Sequence, residues 1–306
     1  MDNIETWGDV MIYSIENQHL KIEVNSTGAQ LYSVYSKKTD TEYLWQGNPA
    51  YWSGRAYNLF PFIGRRYNNI FKYNGHEYES RTHGLARYFE FALETRSARK
   101  LVFLLKSNSF TLREYPFEFE YRVTFELKDS ELLVKQEALN TDEKEMICAF
   151  GGHPGINVPF GVGSFEDCYL EFGEKTAVKR RTLALGDRYM SGEEESFPLI
   201  DGLKLTLNHG LFEHDAIILA NTCRYVMLKS EKEDRYVAMR YNDFKYIGFW
   251  HAMPHGAKDA PFVCLEPWSA LPARDGVIET LEEIPDMTHI APGKTATCSF
   301  TLEIHE

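Results

Sequence analysis

The sequence holds no run near the roughly 18 apolar residues that a membrane-crossing helix needs, and basic residues are in the minority. Its 33 Lys and Arg stand against 45 Asp and Glu, a formal net charge of −12. Nucleic-acid affinity rests on cationic contacts to phosphate, and attraction to an anionic bilayer rests on basic clusters. Neither partner is expected. The five cysteines, at 148, 168, 223, 264 and 298, are scattered, with no CxxC and no Cys/His ligand spacing. An odd, dispersed set excludes a disulfide framework and is read as reduced thiols packed in a cytoplasmic protein. Met1–Glu5 lacks the basic start and apolar core of a signal peptide. There is no HExxH, no P-loop, no GxGxxG after a strand and no GxSxG elbow. His251 and His255 are separated by Pro254, which argues against a helical ligand pair. No metal and no cofactor are expected. Linkers and low-complexity segments are missing too, which makes residues 1–306 one domain by expectation. A homodimer stays open.

Aromatic residues are plentiful at 14%, with 18 Tyr and 20 Phe. They suit a pleated surface and equally the C–H face of a pyranose. Period-two alternation dominates the chain. Leu20, Ile22 and Val24 alternate with Lys21, Glu23 and Asn25. Phe117, Phe119, Tyr121, Val123, Phe125 and Leu127 alternate with polar residues up to a turn at Lys128-Asp129-Ser130, and Leu132–Leu139 returns. Ala296, Cys298, Phe300, Leu302 and Ile304 repeat the pattern near the end. Such spacing predicts antiparallel strands with one buried face. Turns are expected at Asn74-Gly75, Asn208-His209-Gly210 and Pro292-Gly293. Helical periodicity is confined to two weak stretches, Asp187–Glu195 and Ala270–Asp275. The expected fold is all-β, built from long antiparallel sheets packed as a sandwich, with few short helices.

Four segments break the alternation and concentrate Gly, Pro, His, Arg and Trp, as loops held for a purpose do. They are Asn58–Arg66, Thr82–Arg87, Gly151–Pro159 and Cys264–Ser269. His153, between glycine and proline at a strand end, is suited to passing a proton near neutrality; bonding a loop carbonyl explains it as well. Glu266 closes the apolar run Phe262–Leu265, which looks like a buried strand, where desolvation raises a carboxyl pKa; a turn carboxylate paired with arginine fits it equally. Arg65 offers a planar fork for paired hydroxyls, while Arg66 fits a surface charge. His83 and Arg87 sit in a Gly-bearing turn. Asp215 precedes the strand Ala216–Leu219 and fits either a hydroxyl acceptor or a turn residue. Trp250 fits the core, or a stacking platform.

Together these segments resemble the aldose 1-epimerase (galactose mutarotase-like) family, above all its LacX-like branch, over essentially the whole chain. The carriers are Gly28-Ala29-Gln30-Leu31, Ile63-Gly64-Arg65 ahead of Phe71–Gly75, Thr82-His83-Gly84, Gly152–Pro159, His214-Asp215-Ala216 and Leu265-Glu266-Pro267-Trp268. The resemblance implies a β-supersandwich with a cleft across one sheet. It also implies His153 as general acid, Glu266 as general base, and Arg65, His83 and Asp215 on the sugar. Trp250 is added as a candidate stacking wall. The loop His83-Gly84-Leu85-Ala86-Arg87 departs from the double-glycine form of the galactose mutarotases proper, and Pro267-Trp268 follows the glutamate. The implied reaction is anomer interconversion of a free hexose. A hexose-6-phosphate epimerase, drawing on Arg55, Arg65, Arg66, Arg81 and Arg87, is the alternative, as is a non-catalytic carbohydrate-binding protein. A glycoside hydrolase is disfavoured, because it usually needs two carboxylates across the bond.

Overall fold

The computed structural model describes residues 11–184, 188–253 and 259–306. The alternating segments form strands where expected. Phe119–Lys128 pairs antiparallel with Glu131–Asn140 through the turn at Asp129, and Glu131–Asn140 pairs in turn with Thr295–His305. These three lie near the middle of a nine-stranded sheet that runs from Lys204–Thr206 to Ala92–Arg96. A seven-stranded antiparallel sheet is ordered Met190–Ser196, Lys179–Leu183, Ile217–Ala220, Tyr246–Trp250, Phe262–Trp268, Gly151–Asn157, Ala56–Leu59. Leu20–Asn25 belongs to a four-stranded sheet, with Leu20, Ile22 and Val24 buried. Asn74 and Gly75, both at positive φ, turn the hairpin Ile70–Tyr73/His76–Glu79 as that dipeptide favours.

Both helical expectations are corrected. Met190–Ser196 is an edge strand paired with Lys179–Leu183, and Asp187 lies outside the described residues, as do Pro254 and His255. Ala270–Asp275 is irregular chain: Pro272 cannot donate a helical hydrogen bond, and Arg274 bridges to Met190 instead. Among the described residues the α-helix is a single turn, Thr111–Glu114, and the other helical pieces are 3₁₀ turns such as His209–Phe212.

Side-chain alternation across the seven-stranded sheet makes the site. Ile217, Leu219, Ile247, Phe249, Val263, Leu265 and Ile156 join Phe125, Val134 and Phe300 of the nine-stranded sheet in one buried core. Their neighbours Ile218, Trp250, Cys264, Glu266, Trp268, His153 and Tyr57 must then face the other way. Both faces are covered, so these strands show near-continuous burial rather than the half-wet alternation of Phe119–Lys128. Gly151–Pro159 therefore looked like a loop in the sequence, yet Gly151–Asn157 is a strand, paired on both sides within the seven-stranded sheet. His153 is inside it rather than at its end. Gly152 is there because a Cβ would stand 2.6 Å from the Phe300 ring.

Candidate active site

Two loops complete the walls above the sheet. Arg66 is buried, with Nη1 donating to Glu279 at 2.9 Å and Nη2 to the carbonyls of Ile63 at 3.1 Å and Leu271 at 2.9 Å. Pinning Arg66 inward leaves its neighbour Arg65 on the cavity wall, so of the adjacent pair only Arg65 can meet a ligand there. His83 takes φ +64 and Gly84 φ +75. A Cβ on Gly84 would lie 2.4 Å from the Phe60 carbonyl oxygen, so only glycine fits that approach. The His83 N–H donates to the Gly64 carbonyl at 2.6 Å, and the Gly64 N–H donates back to His83 Nδ1 at 3.1 Å. With Nδ1 accepting, the neutral ring carries its proton on Nε2. Burial drives His83 well below the ordinary histidine range, with His153 and Arg87 adding to the effect.

A polar network holds the floor from beneath. Gln136 Nε2 donates to Asn58 Oδ1 at 3.1 Å and to the Gly151 carbonyl at 2.8 Å. Asn58 Nδ2 donates to the carbonyls of Gly28 at 3.1 Å and Ala29 at 2.7 Å. These residues are buried; Gln136 Oε1 is left without a partner, and the four donated bonds fix backbone position.

The cavity above the sheet, open on one side, measures about 360 Å³ and is lined by His153, Glu266, Arg65, His83, Asp215 and Trp250 together. All six candidate residues are thus brought to one place from six separate stretches of chain. Residues that the sequence reading did not assign also line it: Trp52, Tyr57, Arg87 and Arg188. Arg87 had entered only as a turn residue and as one of the arginines open to a phosphorylated substrate. Its guanidinium lies 3.5 Å over the Tyr57 ring, beside the site. Trp52 packs on His153 with ring centroids 4.9 Å apart, and Trp250 meets the same imidazole edge-on at 5.6 Å. Trp52 and Tyr57 stand in an aromatic stretch with no periodicity, and Arg188 is an isolated charge, so neither carried a signal. Arg55 is elsewhere, stacked on Tyr32, and Arg81 is paired with Glu114.

At the centre, His153 Nε2 lies 3.2 Å from Glu266 Oε2, with both side chains nearly sealed from solvent. The approach is close but not aligned as a hydrogen bond: Glu266 Oε2 and His153 Nδ1 are both buried without such a partner. Burial pushes the Glu266 carboxyl well above the usual carboxylate range, and the negative charge of Asp215 adds to it. Burial also lowers His153 to about 3, with the nearby Arg87 contributing. Both shifts run against an ion pair. They favour the neutral form of each side chain, an un-ionised carboxyl on Glu266 beside a neutral imidazole on His153. Asp215 is itself raised by burial, partly offset by Arg188 at 3.8 Å.

The sequence profile of the family described as "Aldose 1-epimerase" matches residues 11–274. The chain belongs to the aldose 1-epimerase family. The plasmid-encoded protein LacX of Lactococcus lactis subsp. lactis is 32% identical, over 96% of this chain and 99% of that protein. A galactose mutarotase related enzyme from Lactobacillus acidophilus superposes with a TM-score of 0.90 at 33% identity, covering 97% of this chain and 98% of that one. A galactose mutarotase-like protein from Lactobacillus casei gives 0.88 at 28% identity, covering 96% and 100%.

For this aldose 1-epimerase family member, the chemistry open to the cavity is proton transfer. Cys264 sits beside the pair, and the ligand atoms of His153, Cys264 and Glu266 all lie within 4.8 Å of one another, the one such grouping among the described residues. Burial raises the Cys264 thiol well above its usual value. A metal would bind the thiolate and carboxylate forms, which burial disfavours at both Cys264 and Glu266.

Proposed function

We propose that this chain interconverts the α and β anomers of a free hexose. The observation that carries the reading is the 3.2 Å approach of His153 Nε2 and Glu266 Oε2 on the floor of a cavity of about 360 Å³. Glu266 removes the proton of the anomeric hydroxyl while His153 delivers one to the ring oxygen. The C1–O5 bond breaks and an open-chain aldehyde forms. Rotation about C1–C2 presents the other carbonyl face, and ring closure returns both protons. These roles need the pair's proton on His153. Hydroxyl donors of a bound sugar stabilise the Glu266 carboxylate and so draw that proton across. Arg65, His83 and Asp215 fix the ring, and their preorganised dipoles meet charge that develops on its oxygens. Trp250 and Trp52 offer apolar faces to the sugar's C–H face. The reaction involves no net redox change and calls on no cofactor.

The test is the rate of optical-rotation change of fresh α-glucose and α-galactose, with and without the protein. Acceleration over the spontaneous rate is expected. Saturable sugar binding with no acceleration would replace this reading with a non-catalytic binding protein. One observation favours a phosphorylated hexose as a second reading: three guanidinium groups, of Arg65, Arg87 and Arg188, line the cavity. Competition by hexose 6-phosphate separates the two.

A further inference from the structure

Glu266 and Trp268 stand two residues apart on the strand Phe262–Trp268, so both side chains leave the sheet on its cavity face. Across the ladder Glu266 is paired with Gly248. A Cβ at Gly248 would lie 3.1 Å from Cζ2 and Cη2 of the Trp268 indole and 3.5 Å from Cβ of Glu266. The bare glycine thus leaves the room in which the indole lies beside the glutamate. Cζ2 is bonded to the ring carbon that carries Nε1, so the edge of the indole over Gly248 is next to its N–H. Trp268 lines the cavity with Glu266, yet it is nearly sealed from solvent. Its Nε1–H is buried and finds no acceptor among the described residues. Leu59, Ile63, Ala149, Ala216 and Ile218 share its apolar cluster and offer it no side-chain acceptor. Trp45, also buried, behaves in the ordinary way and donates Nε1–H to the Trp52 carbonyl at 2.8 Å. A buried donor without an acceptor is unfavourable and calls for a state in which it is used.

The unused acceptor beside it belongs to Glu266, whose Oε2 is likewise buried and unbonded. Burial pushes the Glu266 carboxyl up and the charge of Asp215 adds to it, whereas the Trp268 N–H is near enough to draw it back down without being aligned as a hydrogen bond. A donor that favours the charged form of a carboxyl acts with this sign. The other titratable groups about Glu266 are Cys264 on its own strand, His153 on Gly151–Asn157 and Asp215 ahead of Ile217–Ala220. Arg65, His83, Arg87 and Arg188 face the same cavity from its walls. Of the basic groups, His153 reaches the carboxyl at 3.2 Å, and it is a charged partner only while it holds the proton that Glu266 has given up.

We infer that Trp268 is the positioning residue of the base: its indole N–H closes on the Glu266 carboxylate as the proton leaves for His153, and stands idle while Glu266 is protonated. The inference rests on the proposed anomer interconversion for its meaning in turnover, and its test lets the two fail separately. Trp268→Phe keeps an aromatic ring and removes the donor. Ionised Glu266 then lacks a charge-assisted hydrogen bond, its proton is held more tightly, and fewer sugar complexes carry that proton on His153. The alkaline limb of the kcat/KM profile, set by the Glu266 proton, is expected to move up by about one pH unit, and kcat to fall about tenfold. Sugar affinity by calorimetry should stay within about twofold, since the loss falls on the reacting state. A second measurement reads the indole itself. In protein carrying ¹⁵N-labelled tryptophan, the Trp268 N–H signal, assigned by its contact with the Gly248 α-protons, is expected to move downfield as Glu266 ionises. It should stay fixed over the same pH range in Glu266→Gln. A limb or a kcat left at the wild-type value in Trp268→Phe overturns the inference, as does an indole signal indifferent to pH in the wild type. Should Trp268→Phe fail to fold, the indole signal decides by itself. An indole that follows Glu266 in a protein that does not accelerate anomer exchange keeps the coupling of Trp268 to Glu266 and refutes the proposed reaction.

Discussion

Replacing His153 with glutamine changes how stability depends on pH, and the sign of the change reports where the central proton sits. An imidazole titrates near 6.5 in the unfolded chain but near about 3 when buried here. Between about pH 7 and about pH 5 only the unfolded state takes up that proton, which costs the fold about 2 kcal/mol. The stability from a neutral His153 is thus present above its unfolded pKa and is lost as pH falls. His83 and His251, also lowered by burial, contribute in the same sense, but equally to wild type and variant. Urea unfolding of both proteins, at about pH 7 and about pH 5, therefore isolates His153. The difference between the two proteins should move by about 2 kcal/mol in favour of His153→Gln at the lower pH. Glu266→Gln should behave in the opposite way. A raised carboxyl retains a proton that the unfolded chain releases above about 4.5, so acidification strengthens the wild type and not that variant. An unchanged difference for His153→Gln, or one of reversed sign, would mean an imidazolium paired with a carboxylate, and the neutral-pair reasoning would fall.

The remaining expectations concern activity and the loops. Glu266→Gln and His153→Asn should each lower kcat by about 10²- to 10⁴-fold while sugar-induced fluorescence changes persist; near wild-type rotation rates in either would remove that residue from the reaction. The profile of kcat/KM against pH should be bell-shaped. Its acid limb is set by a second proton entering the pair at His153, and its alkaline limb by loss of the last proton from Glu266. Arg87→Gln should move the acid limb to higher pH, because Arg87 helps hold His153 down; an unmoved limb would count against that role. Gly84→Ala should cost about 2 kcal/mol or more, measured by chemical unfolding, because it combines positive φ with a backbone clash. Arg66→Met should cost about 3 kcal/mol by taking from buried Glu279 its partner at 2.9 Å and leaving it Arg274 at 3.7 Å, and adding Glu279→Leu should restore much of it; a second substitution that makes matters worse would contradict this.

The long strands of the nine-stranded sheet were legible because one of their faces is wetter. Phe119–Lys128 shows its period directly, since Glu118, Glu120 and Glu126 have somewhere polar to point. The strand carrying Glu266 showed only as the apolar run Phe262–Leu265, and the one carrying His153 was not legible, because two covered faces erase the alternation and Gly152 and Pro154 imitate a loop. Chemistry nevertheless marked them. A histidine and a glutamate placed where apolar residues would pack better are a conflict between local pattern and function. Arg65 could be told from Arg66 only by likeness to the family, and the physical reason appears in three dimensions: Glu279, more than two hundred positions away, claims Arg66. Trp52, Tyr57 and Arg188 were silent for the same reason, because what they share is a direction rather than a spacing.

The Gly64 amide settles one further matter. By occupying Nδ1 of His83, it leaves that side chain a pure giver of hydrogen bonds towards the cavity, so the ligand atom opposite it has to offer a lone pair. In the proposed hexose complex, a hydroxyl at that place aims its own hydrogen elsewhere, towards a neighbouring acceptor. A sugar bearing fluorine at that carbon should be tolerated in a way that a simple deoxy sugar is not, and the carbon at which this asymmetry shows identifies the ring edge facing His83.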